Sequence, residues 1–402
     1  MSKVRIAPST AHRVPLPLAV VLVVLATAGW IARGAEAAPD AYEIQLDAWA
    51  RGSIAGEPLP DADDAPPTRV AAFFDGLTER QRHRLAHRYP LVVGNLPGAP
   101  PPLRYEANRT SLARARDSER RRSFDERLSP AGQRTAGRRA NRFASMLDEG
   151  RQFLSFDPTG RGRAAEVLGD LETAERISVV VPGADTQLLT FERTRQKYHA
   201  PSGMAEALHA RERELAPGVR TAVIAWADYD TPSAHSMSAA TTELAADGAE
   251  RLVTTVDALP GRAPVALFCH SYGSVVCGLA AEELPRRVSD IAVAGSPGMR
   301  AGSASGLGTD ARVWAMRSPD DWIGRVPHLA IGPLGHGSDP ASPSFGARLL
   351  ATGNARGHSG YFEPGTMSLG NLARIGAGAV GAVTCAPEAP SCRAERDGAE
   401  IR

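Results

Sequence analysis

The chain has 402 residues and a formal net charge of +1, so no global field marks it for nucleic acid or for an acidic substrate. Its length accommodates one large domain or two ordinary ones, and 43% hydrophobic residues with 5% aromatics is the balance of a soluble globular chain.

Lys3, Arg5 and Arg13 precede an apolar run from Val14 to Ala32 that Arg33 closes, and Ala35-Glu36-Ala37 then offers a small-x-small cleavage site. This is a signal-peptide pattern. The run is also long enough to span a bilayer uncleaved, and the positive flank predicts the N-terminus inside with the rest outside. Residues 1–38 are therefore read as a signal peptide or an N-terminal membrane anchor. The protein is expected to be extracytoplasmic, either secreted or held at the cell membrane by this segment.

Residues 39–67 are rich in Pro, Asp and Ala without periodicity and read as a linker. From 68 to 150 the pattern is that of a helical extension. Pro66-Pro67-Thr68 can open a helix, and Val70, Phe73, Phe74 and Leu77 have amphipathic spacing. A second helix runs from Leu77 to near Tyr89-Pro90, and residues 93–98 read as a turn. Residues 109–142 are dense in arginine with Asp and Glu interleaved. They fit a solvated helical hairpin with ion pairs four residues apart, and alternatively a basic surface for an anionic membrane or polymer. Asn108-Arg109-Thr110 has the form of a glycosylation sequon.

After residue 150 strands and helices alternate. A hairpin is expected from 152–156 and 164–168 around Asp157-Pro158-Thr159-Gly160. Strands are expected at 177–181, 221–226, 263–269, 290–294 and 312–316, and helices at 204–215 and 243–259. Continuous apolar strands separated by helices predict a mostly parallel sheet covered by helices on both faces, an α/β class domain over 151–382. Residues 383–402 form a Pro-rich C-terminal tail, in which Cys385 and Cys392 suit a small-loop disulfide of an exported protein.

The strand ending at Cys269 runs into His270-Ser271-Tyr272-Gly273-Ser274 and a helix start. This is a variant of the elbow G-x-S-x-G with Cys269 in place of the first glycine. A turn this tight projects the Ser271 hydroxyl above the sheet and brings strand and helix nearly into contact, so the positions two before and two after must be small. Cys269 and Cys277 flank the elbow and read as buried free thiols. A serine nucleophile needs a base, an acid to orient it and an oxyanion hole. The acid should follow a strand downstream of Ser271, and the loop Ser318-Pro319-Asp320-Asp321-Trp322 after 312–316 supplies it. Asp321 is favoured and Asp320 is the alternative. His358, in a turn before the last helical pattern, is the favoured base, with His336 bordering the site and His328 packed. His270 should point away from the Ser271 hydroxyl. The backbone N–H of Tyr272 and one from the loop after 177–181, assigned to Ala184, should form the oxyanion hole. Thr186 could add a hydroxyl or only shape its turn. Trp226, Asp228 and Tyr229 would line the pocket or cap their strand.

These features resemble the α/β-hydrolase superfamily. More narrowly, the chain resembles an actinobacterial α/β-hydrolase family without a settled substrate. The resemblance rests on residues 93–98 with Arg104, Ala107 and Asn108, on Phe156-Asp157-Pro158, Val181-Pro182-Gly183 and His270-Ser271-Tyr272-Gly273-Ser274, and on Gly357-His358-Ser359 with Tyr361. It implies an α/β-hydrolase fold with a helical N-terminal extension and the assignment of Ser271, Asp321 and His358. Cys269 departs from the usual glycine, and Phe73-Phe74 stands where the family tends to have tryptophan.

The expectation is an exported serine hydrolase of an ester or related acyl bond, acting on a small-molecule or lipid-like acyl substrate. It should need no metal or organic cofactor and bind no nucleic acid. The alternatives are a peptidase or amidase on the same residues and a non-catalytic hydrolase fold that binds a cell-envelope partner. The helical extension could form a lid over the site, or its arginines a docking surface.

Overall fold

The computed structural model describes residues 40–387 and 389–393. The apolar run 14–32, its cleavage site and the last residues of the tail lie outside them. Among the described residues, no helix is long and apolar enough to cross a membrane.

Asp40 starts helix α1 (Ala41–Ala50) with a capping box, its carboxylate accepting from the N–H groups of Tyr42 and Glu43. Strands β1 (Ser53–Ile54) and β2 (Glu57–Pro58) follow as an antiparallel pair. The segment read as a linker is therefore folded. Trp49, Ile54 and Leu59 are its anchors, buried in a small core with Val70, Phe74, Leu85 and Tyr89. Three apolar residues spaced this widely show no periodicity, which is why the order was not visible in the chain. Helices α2 (Pro67–Asp75), α3 (Glu79–Arg88), α4 (Pro90–Asn95), α5 (Pro101–Arg122) and α6 (Pro130–Met146) complete the extension. Proline opens four of the five, supplying at the first turn a residue whose missing N–H has no partner to lose. Residues 93–95, expected in a turn, belong to α4.

The remaining chain builds an eight-stranded sheet. Strands β3 (Gln152–Asp157) and β4 (Arg163–Leu168) form an antiparallel hairpin, and β4 pairs antiparallel with β6 (Thr221–Ala227). Strands β5 (Arg176–Val181), β6, β7 (Val265–His270), β8 (Val288–Ala294), β9 (Arg312–Met316) and β12 (Arg348–Leu349) are parallel. The order across the sheet is β12-β9-β8-β7-β5-β6-β4-β3. Between β9 and β12 lies a separate two-stranded hairpin, β10 (Ala330–Ile331) with β11 (Leu334–Gly335). Helices α7 (Pro201–Leu215), α8 (Glu243–Asp257), α9 (Gly273–Ala280) and α10 (Met367–Gly376) accompany the sheet. Two hydrophobic cores sandwich it. One holds Ile177, Val179, Ile224 and Leu267 with Leu252 and Val276, and the other holds Val180, Val223 and Phe268 with Leu208 and Leu372. Alternate residues of the same strands enter opposite cores, as a doubly covered parallel sheet requires. Chain order leaves β5 in the middle and runs outward to β6 on one side and β7 on the other, so a crevice opens at the C-terminal ends of β5 and β7.

The helical extension covers the sheet edge. Asn95 pairs with the backbone of Phe156 in both directions, Nδ2 donating to the carbonyl and Oδ1 accepting from the N–H, each at 2.9 Å. Asn108 Nδ2 donates to the carbonyls of Gly94 at 2.9 Å and Phe153 at 2.8 Å. Two asparagines thus satisfy edge groups of β3 that would otherwise be open to another strand. Gly94 is required here, because a Cβ would stand 2.1 Å from Asn108 Oδ1. The sequon reading of Asn108 fails for the same reason, since its amide is buried and engaged. The arginine-dense hairpin is tied by charge. Glu119 accepts from Arg122 at 2.9 Å and Arg139 at 3.0 Å, and Arg142 pairs with Glu192 of the main body.

The described part of the C-terminal tail packs onto the body. Cys385 bridges to Leu350, the Thr384 N–H donates to Asn371, and Cys385 is bonded to Cys392, which is buried. Cys269 and Cys277 are also bonded to each other, correcting their reading as free thiols. The tight turn between β7 and α9 brings their Cα atoms to 6.5 Å, within disulfide reach. Replacing both by alanine opens a loop of sequence separation 8. It is expected to lower the unfolding free energy by about 2–3 kcal/mol, measured by urea denaturation under non-reducing conditions.

Candidate active site

Ser271 occupies the turn between β7 and α9 at φ 54°, in the left-handed region that residues with a Cβ rarely adopt. The turn is held at both ends, with the Ser271 N–H donating to Ala294 O at 3.1 Å and the Ser271 carbonyl accepting from Ser274 N at 2.9 Å. Its neighbours must be small. A Cβ on Gly273 would come 2.4 Å from Val181 O, and one on Gly183 would come 2.6 Å from the Ser271 Cβ.

Ser271 Oγ lies 2.8 Å from His358 Nε2. On the other side of the ring, His358 Nδ1 lies 2.9 Å and 3.1 Å from the two carboxylate oxygens of Asp321. A carboxylate only accepts, so Nδ1 carries the proton and Nε2 is left to accept from the serine hydroxyl. Asp321 is buried and also receives the Ile323 N–H at 2.9 Å and the Tyr361 hydroxyl at 2.5 Å. Burial alone would raise its carboxyl, but the hydrogen bonds from His358, Tyr361 and Ile323 outweigh it and hold the group below the ordinary carboxylate range. Tyr361 is fixed in turn by accepting the Ser318 N–H at 3.0 Å. Gly295, at φ 58°, makes room for this arrangement, since a Cβ there would stand 2.8 Å from Asp321 Oδ2 and 3.2 Å from His358 Nδ1.

Asp320, adjacent in sequence, does something else. It is exposed, accepting from Ser318 Oγ and from the Gly357 N–H at 2.9 Å, and so ties the acid loop to the loop that carries His358. Three supports of His358 had no sequence signal as such. His270 is engaged with His358, its Nε2–H donating to the His358 carbonyl at 2.6 Å. The Trp322 ring lies 4.6 Å from the imidazole. Tyr361, which the sequence offers only as part of the family pattern, acts through its hydrogen bond to Asp321.

These groups open on a cavity of about 860 Å³, lined by Ser271, His358, Tyr272 and Ala184 among others. The Gly183–Ala184 backbone runs against Ser271, and the loop is braced by Tyr229, whose hydroxyl donates to Pro182 O at 2.6 Å. Thr186 turns its hydroxyl onto Gly183 O and shapes the loop. Trp226, Asp228 and Tyr229 are buried and none lines the cavity, so the strand-capping reading holds and the pocket reading does not. Asp228 pairs with Arg251 at 2.8 Å, and Trp226 Nε1 donates to Thr255. His336 lines the cavity wall, with Nε2 donating to Ala239 O at 2.8 Å, and His328 Nδ1 is engaged with Pro297 O at 2.9 Å. No residue of the helical extension lines the cavity, so that extension is not its lid; segments 234–240 and 322–336 border the opening instead. Among the described residues, no group of three or more His, Cys, Asp or Glu is placed to hold a metal.

Residues 157–331 match a family model described as alpha/beta hydrolase. An uncharacterized protein of Mycobacterium tuberculosis is 29% identical, over 79% of this chain and 56% of its own length. A second, from Mycobacterium bovis, is 32% identical over 37% of this chain and 56% of its own length. The chain thus spans about half the length of the curated relatives it matches. Among solved structures, a dienelactone hydrolase from Anabaena variabilis is 18% identical with a TM-score of 0.33, covering 57% of this chain and 95% of that one. A CIB-like hydrolase from Thermoplasma acidophilum is 14% identical with a TM-score of 0.34, covering 57% and 96%.

Burial, reinforced by the nearby His358, pushes the His270 imidazole down from 6.5 to about 3. The unfolded chain takes up a proton here near the ordinary value while the folded chain does not, so stability attached to His270 is lost as pH falls through 6.5 toward 3. Burial of Glu212, raised to about 7, acts with the opposite sign over part of that window. The readout is therefore a difference: His270→Gln is expected to lose less stability than wild type on acidification, measured by denaturant unfolding at a series of pH values.

Proposed function

We propose that this chain, a member of the α/β-hydrolase superfamily, is an exported serine hydrolase that cleaves an ester or related acyl bond with Ser271 as nucleophile. The observation that carries the reading is the continuous chain Ser271 Oγ, His358, Asp321, with the serine held at φ 54° on the cavity. Each part has a chemical use. His358 Nε2 takes the hydroxyl proton as Ser271 Oγ forms a bond to the acyl carbon. Asp321 keeps the proton on Nδ1 and stabilises the imidazolium. The backbone N–H groups of Tyr272 and Ala184 would receive the oxyanion. Tyr272 stands at the N-terminus of α9, where the helix dipole adds positive potential. Collapse of the tetrahedral adduct breaks the acyl–oxygen bond, and the leaving alkoxide takes the proton from His358. Water, deprotonated by the same nitrogen, then releases the acyl group and restores Ser271.

Support for export comes from the two disulfides, Cys269–Cys277 and Cys385–Cys392, which persist in oxidising compartments. It also comes from the signal or anchor pattern of residues 1–38.

The test is covalent labelling of the full chain by a fluorophosphonate probe, with turnover of a soluble nitrophenyl ester. Wild type should be labelled, and Ser271→Ala and His358→Ala should not. Asp321→Asn should lower ester turnover by about 10⁴, because it presents the wrong imidazole tautomer to the serine. Asp320→Asn should keep turnover within a few-fold of wild type. A well-folded wild type that takes no label would overturn the reading.

A further inference from the structure

Eight large apolar side chains stand exposed among the described residues, and five of them lie on the two segments, 234–240 and 322–336, that contribute to the cavity wall. They are Met237 at 76% exposed, Trp322 at 51%, Leu329 at 49%, Ile331 at 71% and Leu334 at 47%. Trp322 and Leu329 line the cavity that holds Ser271, and Trp322 reaches inward to within 4.6 Å of the His358 ring centre. Ile331 and Leu334 lie directly opposite each other on the β10–β11 hairpin, and so share a face. Leu329 immediately precedes this hairpin and lines the cavity. An apolar stripe therefore begins at the reacting atoms and continues past the mouth onto the outer surface.

The stripe sits on a built platform rather than a loose loop. Arg300 donates to Gly335 O at 2.8 Å and to Gly332 O at 2.9 Å, clamping the hairpin from beneath. Thr241 bridges to Leu334, and His336 Nε2 donates to Ala239 O. These bonds join the hairpin to the turn that carries Met237. Within the two rim segments the charge is one-sided. Residues 231–242 and 322–338 contain no Asp or Glu, Arg325 lies within them and Arg300 is bonded to the hairpin tip; of the carboxylates beside them, Asp185 accepts from the Ala234 N–H at 3.3 Å and Asp339 is paired with Arg317. Exposed apolar side chains beside Arg300 and Arg325 complement a surface that is apolar within and anionic at its face. A soluble short-chain substrate would need neither feature outside the cavity.

We infer that the ester taken by this site is a long-chain amphiphile drawn from an aggregated, anionic surface, and that the 329–335 hairpin with Met237 docks on that surface. The inference rests on the hydrolase reading for its substrate and on the rim alone for its docking. The acyl chain leaves the surface along Leu329 and Trp322 and reaches Ser271 without crossing water.

Two measurements on the full chain test it. In the first, Ser271→Ala protein is sedimented with vesicles of phosphatidylcholine mixed with phosphatidylglycerol, with and without Ile331→Ser plus Leu334→Ser. Losing two buried aliphatic contacts should weaken partitioning by about tenfold or more. Added salt should weaken it further by screening Arg300 and Arg325. In the second, the rate on a long-chain ester is followed across the concentration at which that ester aggregates. Wild type should show a step upward, and the double variant a smaller step or none. Met237→Ser, on a separate segment and fully outside the cavity, should reduce both readouts and guards against misfolding of the hairpin. Unchanged partitioning and an unchanged step in these variants would overturn the inference. So would a wild-type dimer that the double variant dissolves, since the stripe would then belong to a second copy. Loss of partitioning in variants of a protein that never takes a fluorophosphonate would leave the docking standing and remove the hydrolase reading.

Discussion

The close approach of β7, β5 and the start of α9 is the constraint on which the rest of the site depends. Ser271 can hold φ 54° only because its surroundings over-determine it. Gly273 lets α9 pass against the carbonyls at the end of β5, and Gly183 lets the loop after β5 lie on the serine itself. Cys269 and Cys277 tie the strand end to the helix across the turn. A tight turn usually buys its closeness with a glycine two residues before the serine. Here a disulfide half-cystine occupies that place, and the bond makes the side chain a clamp instead of an obstruction.

Outside that turn, the site is assembled from loops that share little sequence. Asp321 follows β9, His358 lies between β12 and α10, and the Gly183–Ala184 backbone follows β5. Polar groups buried at this depth are costly unless paired, so each is held by another. Tyr361 bonds to Asp321 and accepts from Ser318, Asp320 spans from Ser318 to Gly357, and His270 grips the His358 carbonyl. The network aligns His358 without relying on the stiffness of any one loop. It also explains why two consecutive aspartates are not interchangeable. Successive side chains on a turn point in different directions, and only one of these faces the imidazole.

The helical extension serves the sheet rather than the cavity. Its asparagines 95 and 108 close the open edge of β3, and its ion pairs join Arg122 and Arg139 to Glu119 and Arg142 to Glu192 of the main body. The opening is bordered instead by short segments of the main body, 234–240 and 322–336, on which Met237, Trp322, Leu329, Ile331 and Leu334 are exposed.

Local pattern was enough for much of this architecture. Strands such as 177–181 and 312–316 are continuous apolar runs bounded by turn residues, and an elbow needs small residues at fixed offsets, so the sheet and Ser271 could be read directly. Chain order then narrowed the acid to two neighbours and the base to three histidines. What could not be read were relations between distant residues. Trp49, Ile54 and Leu59 look like linker composition because their partners lie in helices further along the chain. Cys269 and Cys277 look like ordinary buried thiols until the turn sets their separation. Asn108 looks like a sequon until its amide is found on the carbonyls of Gly94 and Phe153. The sequence by itself determined the periodicities, the turn that strains Ser271 and the residue types available for chemistry, because these depend on neighbours along the chain. Only the tertiary structure decided which aspartate meets His358, what braces it, and where the exposed apolar side chains gather, because those depend on distances that the fold alone creates.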